Sequence, residues 1–196
     1  MVTEVDERQA EVDSMYQAGL VLEGGGMKGV YTSGVLDFFL DKDIEFSNCY
    51  GVSAGACNLC SYLSRQRGRA YAVSVDYLDD KHYCSAYNVL TTGDLFGVKM
   101  CYDDIPNRLN PYDYEAFNAY KGKAYAVVTN IETGQPEYLR LKEMNRDIIA
   151  VRASASLPLV SRNVKIGDKL YLDGGLSDSV PIMHSIAVSY THIRAH

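Results

Sequence analysis

Nowhere does this 196-residue chain stay apolar for the roughly 20 residues needed to cross a bilayer. Its acidic start, Met1-Val2-Thr3-Glu4-Val5-Asp6-Glu7, also lacks the basic-then-apolar layout of a secretory signal. A soluble, cytoplasmic chain is expected, with any membrane contact peripheral and at the inner face. Positive charge is scarce as well. Lys and Arg number 19 against 25 Asp and Glu, for a net charge of −6, which argues against nucleic acid as a partner because neutralising phosphates needs a concentrated basic face. The one local basic cluster, Arg65, Arg67 and Arg69, reads as a solvated helix end whose charge complements the helix dipole, ahead of a contact with anionic lipid. Cysteines are few and odd in number: Cys49, Cys57, Cys60, Cys84 and Cys101 show no disulfide-framework spacing and are expected to be free thiols. Cys57 and Cys60 form a C-x-x-C without a second ligand pair, so no metal is assigned, and the pair reads as small residues packing a helix against a sheet. Internal repeats and low-complexity tracts are missing too.

What is present is a chain long enough for one domain, 47% hydrophobic, carrying three glycine-marked turns. Gly51-Val52-Ser53-Ala54-Gly55 follows a strand-like segment, Phe46 to Tyr50, and precedes a small-residue helix. A strand turning sharply into a helix displays the serine hydroxyl, and the free N–H groups of the helix point toward it. Upstream, the short apolar run Gly19 to Glu23 enters Gly24-Gly25-Gly26-Met27-Lys28-Gly29, after which Val35, Leu36, Phe39 and Leu40 recur at helical spacing. Consecutive glycines can aim several backbone N–H groups into one concavity, and Lys28 adds a positive charge at the rim. The third turn is Asp173-Gly174-Gly175, after a hairpin with arms Val164–Ile166 and Lys169–Tyr171 around Gly167-Asp168. A rigidly held carboxylate there suits a general base for a serine hydroxyl.

Two rivals fall on spacing. A dinucleotide-binding reading of the glycine run needs an acidic residue closing the second strand, but Asp41, Asp43 and Glu45 precede that strand and the serine turn follows it. A P-loop needs Ser or Thr after the lysine, where this chain has Gly29. A Ser-His-Asp triad would need a histidine, and only His82, His184, His192 and His196 exist. His184 follows Asp173 too closely for the usual chain order and reads as an exposed helix residue.

Along the chain, strands are expected at about 19–23, 46–50, 124–129 and 137–140, and helices at about 27–41 and 54–65, with another N-capped by Asn145. This alternation implies an α/β fold with a mainly parallel sheet covered on both faces, its ligands at the carboxyl ends of the strands. The stretch from Ala70 to Gly122 is rich in tyrosine, suited either to an acyl-chain groove or to ordinary packing.

The three motifs, in this order, resemble those of the patatin-like phospholipases, a family of serine lipid acyl hydrolases. The likeness extends from Gly19 to about Ile186 and includes Ala153-Ser154-Ala155-Ser156-Leu157-Pro158. It implies a three-layer α/β/α patatin-like fold and a Ser-Asp dyad: Ser53 as nucleophile, Asp173 as proton acceptor, and Gly24, Gly25 and Gly26 as the oxyanion-hole loop. Lys28, Gly29, Gly51, Gly55, Gly174 and Gly175 support these motifs. No cofactor is implied, and the partner is a lipid or ester substrate. Many members have Arg where this chain has Lys28, which keeps the charge but loses the planar fork. Residues 1–17 are expected to be a polar arm, 18–187 the catalytic domain, and 188–196 a tail unlike the family's continuation, as of a truncated chain. The competing expectation is a non-catalytic lipid- or protein-binding module on the same scaffold.

Overall fold

The computed structural model describes residues 14–193. Residues 1–13 of the expected arm and 194–196 of the expected tail lie outside them. Strand β1 (Tyr16–Leu22) leads through a 3₁₀ turn (Gly26–Lys28) into helix α1 (Gly29–Asp41), and β2 (Phe46–Val52) leads into α2 (Ala54–Leu63). Two short helices follow, α3 (Arg69–Val75) and α4 (Ala86–Thr92), then a π-helical segment (Met100–Leu109) and α5 (Tyr114–Ala119). Strands β3 (Lys123–Asn130) and β4 (Pro136–Leu141), helix α6 (Met144–Ser154), the hairpin β5 (Val164–Ile166) and β6 (Lys169–Asp173), a 3₁₀ turn (Gly174–Leu176) and α7 (Ile182–Ile193) complete the order.

β1, β2 and β3 run parallel, as two strand–helix units require, whereas β4, β6 and β5 join by antiparallel pairing. β3 is the organising strand. β4 runs along one edge of it from Ala124 to Thr129, so its other partners must share the opposite edge. There β2 pairs with Lys123–Val127, and β6 takes over at Val128–Asn130. The carboxyl end of β2, at Val52, therefore stops beside Val127, one residue from where Asp173 pairs with Val128.

Side chains alternate along β2 and β3. Cys49, Ala124 and Ala126 are fully buried small residues, and with Leu59, Leu63, Met144 and Val151 they form one core cluster under α2 and α6. The opposite face carries Tyr50 stacked on Tyr125 at 5.2 Å, with Tyr138 and the α7 residue His184 beside them. Helices thus cover both faces of the sheet. Among the described residues no helix is long and apolar enough to cross a membrane.

Several expectations shift. β1 begins at Tyr16 rather than Gly19, because the Tyr16 N–H donates to Glu45 O at 2.8 Å and its ring packs on Phe46. α6 is capped two residues earlier than expected: Glu143, not Asn145, is the N-cap. The Asp147 carboxylate accepts the Lys142 and Glu143 N–H groups, and Asn118 Oδ1 accepts that of Met144. The π-helical segment was not expected. Pro106 inside it has no N–H to give an α-helical bond, and the wider ladder includes the bond from Asn110 N–H to Ile105 O at 2.9 Å.

Candidate active site

Ser53 caps α2 with φ 54° and ψ −123°, left-handed backbone that a non-glycine residue enters at a cost of about 1–3 kcal/mol. Surrounding groups hold it there. The Ser53 N–H donates to Ser154 Oγ at 2.9 Å, and the Ser154 hydroxyl donates to Val127 O at 2.6 Å. Ser154 is completely buried at the end of α6, so this helix clamps the turn to β3. Close approach of α2 to the end of β1 needs a residue without a side chain. A Cβ at Gly55 would strike the carbonyl oxygens of Leu22 and Glu23. Gly51 meets Ala56 in the same way.

The glycine turn lies directly against the serine: a Cβ at Gly24 would stand 2.9 Å from Ser53 Cβ. Gly25 and Gly26 follow with φ 151° and 55°. Gly29 opens α1, and its carbonyl accepts a bond from Asn58 Nδ2 at 2.8 Å, tying α1 to α2. Lys28 is exposed at the close of the 3₁₀ turn.

Asp173 ends β6. Its N–H donates to Ser156 O at 2.9 Å, and Thr129 Oγ1 donates to its carbonyl at 2.7 Å. Its Oδ1 accepts the Gly175 N–H at 2.8 Å, while Oδ2 is buried with no hydrogen-bond partner. Gly174 packs against the Val127 carbonyl with no room for a Cβ. Burial lifts the Asp173 carboxyl above the ordinary aspartate range, and the nearby Ser53 hydroxyl and the Gly175 N–H offset part of that rise. The serine is close enough to favour the ionised carboxylate, yet one carboxylate oxygen is still without a donor. Such an arrangement can accept a proton from the hydroxyl during reaction.

Ser53 also lies on the wall of a cavity of about 160 Å³, which Asp173 does not line. The cavity runs along one face of α2, past Cys57 and Cys60 to Ser61. Cys60 is a core residue as expected, but Cys57 is exposed toward the cavity instead of packing helix to sheet. The tyrosines divide: Tyr83 and Tyr112 are buried and line the cavity, whereas Tyr71 and Tyr87 are about half exposed outside it.

Two further expectations need correction. His184 is half-buried, its ring stacked on Tyr138 at 3.5 Å between centroids, and it does not line the cavity. The arginine trio is not one solvated cluster. Arg65 and Arg67 are exposed and paired with Asp43, Glu45 and Asp41, but Arg69 is turned inward and only 9% exposed. Sequence reading also gave Ser154 no role of its own. The signal available was its place in a small-residue segment ahead of the aspartate strand. Among the described residues no group of His, Cys, Asp and Glu could hold a metal ion.

A family model described as patatin-like phospholipase matches residues 20–186. The uncharacterized protein YjjU of Escherichia coli (strain K12) is 32% identical over 168 residues, covering 83% of this chain and 46% of that protein. The probable lipid hydrolase 463L of Invertebrate iridescent virus 6 is 25% identical over 193 residues, covering 89% of this chain and 64% of that protein. The chain therefore spans about half to two thirds of the length of these relatives.

Proposed function

The chain belongs to the patatin-like phospholipase family, and from that membership and the site geometry we propose that it is a serine-dependent lipid acyl hydrolase, with residues 18–187 as the catalytic domain. Ser53 Oγ attacks the ester carbonyl carbon while Asp173 accepts its proton. The oxyanion is held by N–H groups of the Gly24-Gly25-Gly26 loop, each such donor being worth about 10²–10³ in rate. The carbon–oxygen bond to the alcohol breaks, the alcohol leaves with the proton from Asp173, and an acyl-serine remains. Water, deprotonated by Asp173, then attacks that ester and frees the fatty acid and the serine. Substrate reaches the site peripherally from a lipid surface.

One observation carries the reading: the hydroxyl of a strained serine lies close to a buried carboxylate whose second oxygen has no donor. A fluorophosphonate probe tests it. Rapid covalent labelling at Ser53, traced by peptide mass, is expected, because only an activated serine reacts quickly. An unlabelled Ser53 in folded protein would favour a non-catalytic binding module on the same scaffold.

The absence of a histidine from the chemistry is testable separately. Replacing His184 with alanine is expected to leave turnover of a 4-nitrophenyl ester unchanged. Stability should fall by about 1–3 kcal/mol, the worth of its two ring contacts with Tyr50 and Tyr138, measured by denaturant unfolding. Lost turnover in a folded variant would instead make the site a triad.

A further inference from the structure

We propose that the inner end of the cavity binds an anionic group on Arg69, so that the acyl chains taken best are those bearing a carboxylate at their far end. This rests on the reading of Ser53 as nucleophile, since it takes the acyl chain to run inward from that residue.

Ser53 and Ser61 both line the cavity. At about 1.5 Å per residue along α2, they stand about 12 Å apart, the reach of a medium-length acyl chain. Much of the remaining wall is apolar, with Val73, Phe96, Ile105, Ile148, Val151 and Leu157. At Ser61 the character changes. The Arg69 guanidinium, also on the cavity wall, donates from Nη1 to Ser61 Oγ at 3.3 Å and from Nη2 to Asn110 O at 3.1 Å. It lies over the Tyr112 ring at 4.9 Å, and its buried Nε–H has no partner.

Among the described residues no carboxylate is within ion-pair distance of Arg69, although a few residues earlier Arg65 has two, Asp43 and Glu45, and Arg67 has Asp41, while Arg162 is paired with Asp94. A guanidinium keeps its charge at any accessible pH and offers five donors in a planar fork. Taking such a charge out of water without an anion is strongly unfavourable, and a neutral hydroxyl, a carbonyl and a ring face compensate only part of it. Burial accordingly pulls the Arg69 pKa down. A fully apolar acyl chain would leave the charge unmatched at the end of its own pocket. A chain ending in a carboxylate supplies the missing partner and fills the apolar wall on the way.

The decisive comparison uses esters of equal length, mono-4-nitrophenyl suberate and 4-nitrophenyl octanoate. The suberate ester is expected to have the higher kcat/KM, by roughly ten- to a hundred-fold, the size of one charge-assisted hydrogen bond. Arg69→Met should remove that ratio and Arg69→Lys should keep part of it. Binding is measured in parallel by calorimetry on the Ser53→Ala protein, with monomethyl suberate against methyl octanoate, so the result stands whether or not Ser53 is the nucleophile. Equal turnover and equal binding of the two chains overturns the proposal, as does an Arg69→Met protein that keeps the preference. Inorganic phosphate serves as the third arm. Arg69-dependent phosphate binding with no preference between the two chains would assign the guanidinium to a phosphate head group, and the acyl-chain assignment would fail.

Discussion

Alanine in place of Ser53 is expected to lower hydrolysis of 4-nitrophenyl octanoate by roughly 10⁴- to 10⁶-fold, the range seen when a serine hydrolase loses its nucleophile. Ser154, the serine that accepts the Ser53 N–H, is not free to take over, because its own hydroxyl is committed to Val127 O. The fold should survive. The Ser53 N–H to Ser154 Oγ bond uses backbone and is kept, and the strained φ of 54° remains with alanine. Circular dichroism and the unfolding midpoint should therefore match the parent protein. Turnover within ten-fold of the parent would mean that another group attacks the ester.

Asp173→Asn is expected to lose about 10⁴-fold in rate and, at neutral pH, to be more stable than the parent. The two effects have one origin. The folded protein holds the Asp173 carboxyl above its ordinary pKa, chiefly through burial. Below the ordinary aspartate value both folded and unfolded chains carry the proton, and the residue costs nothing extra. As pH rises through the raised folded value, the folded protein must keep a desolvated charge, and that part of the stability is lost. Asparagine never ionises, and its side-chain oxygen can still accept the Gly175 N–H. The variant should melt a few degrees higher at pH 7, a domain of this size shifting about 2–4 °C per kcal/mol, and the gap should close as pH falls below 4. In the parent, ester turnover should decline with acid at a pH above the usual aspartate range. A variant less stable than its parent at pH 7 would show that the buried charge is compensated by groups other than Ser53 and Gly175.

The parts of the site that could be read from sequence are those whose chemistry forces a residue type. Glycines at Gly24, Gly51, Gly55 and Gly174 stand where backbone presses on backbone or on Ser53, and such contacts leave a spacing visible in a single chain. The strand–helix alternation likewise revealed the parallel half of the sheet. Ser154 was opaque because its role depends on two partners, Ser53 and Val127, that lie far from it in the chain. Arg69 was misread because an arginine just past a helix resembles its solvated neighbours Arg65 and Arg67, and only the packing of Tyr112 and Asn110 around it turns it inward. The end-on succession of β2 and β6 along β3 was equally hidden. Neither strand's own pattern says which edge it will join.

That succession has a bearing on the order in which the candidate site is assembled. Strands β1, β2 and β3 pair with one another without the segment from β5 onward, but Asp173 comes beside Ser53 only when the β5–β6 hairpin takes up the remainder of the β3 edge. Closing so long a span of chain costs entropy before its contacts return any stability, so this docking belongs late in folding. Chains caught before it would hold Ser53 and Asp173 apart, so on the mechanism proposed above they would be compact yet unreactive toward an ester.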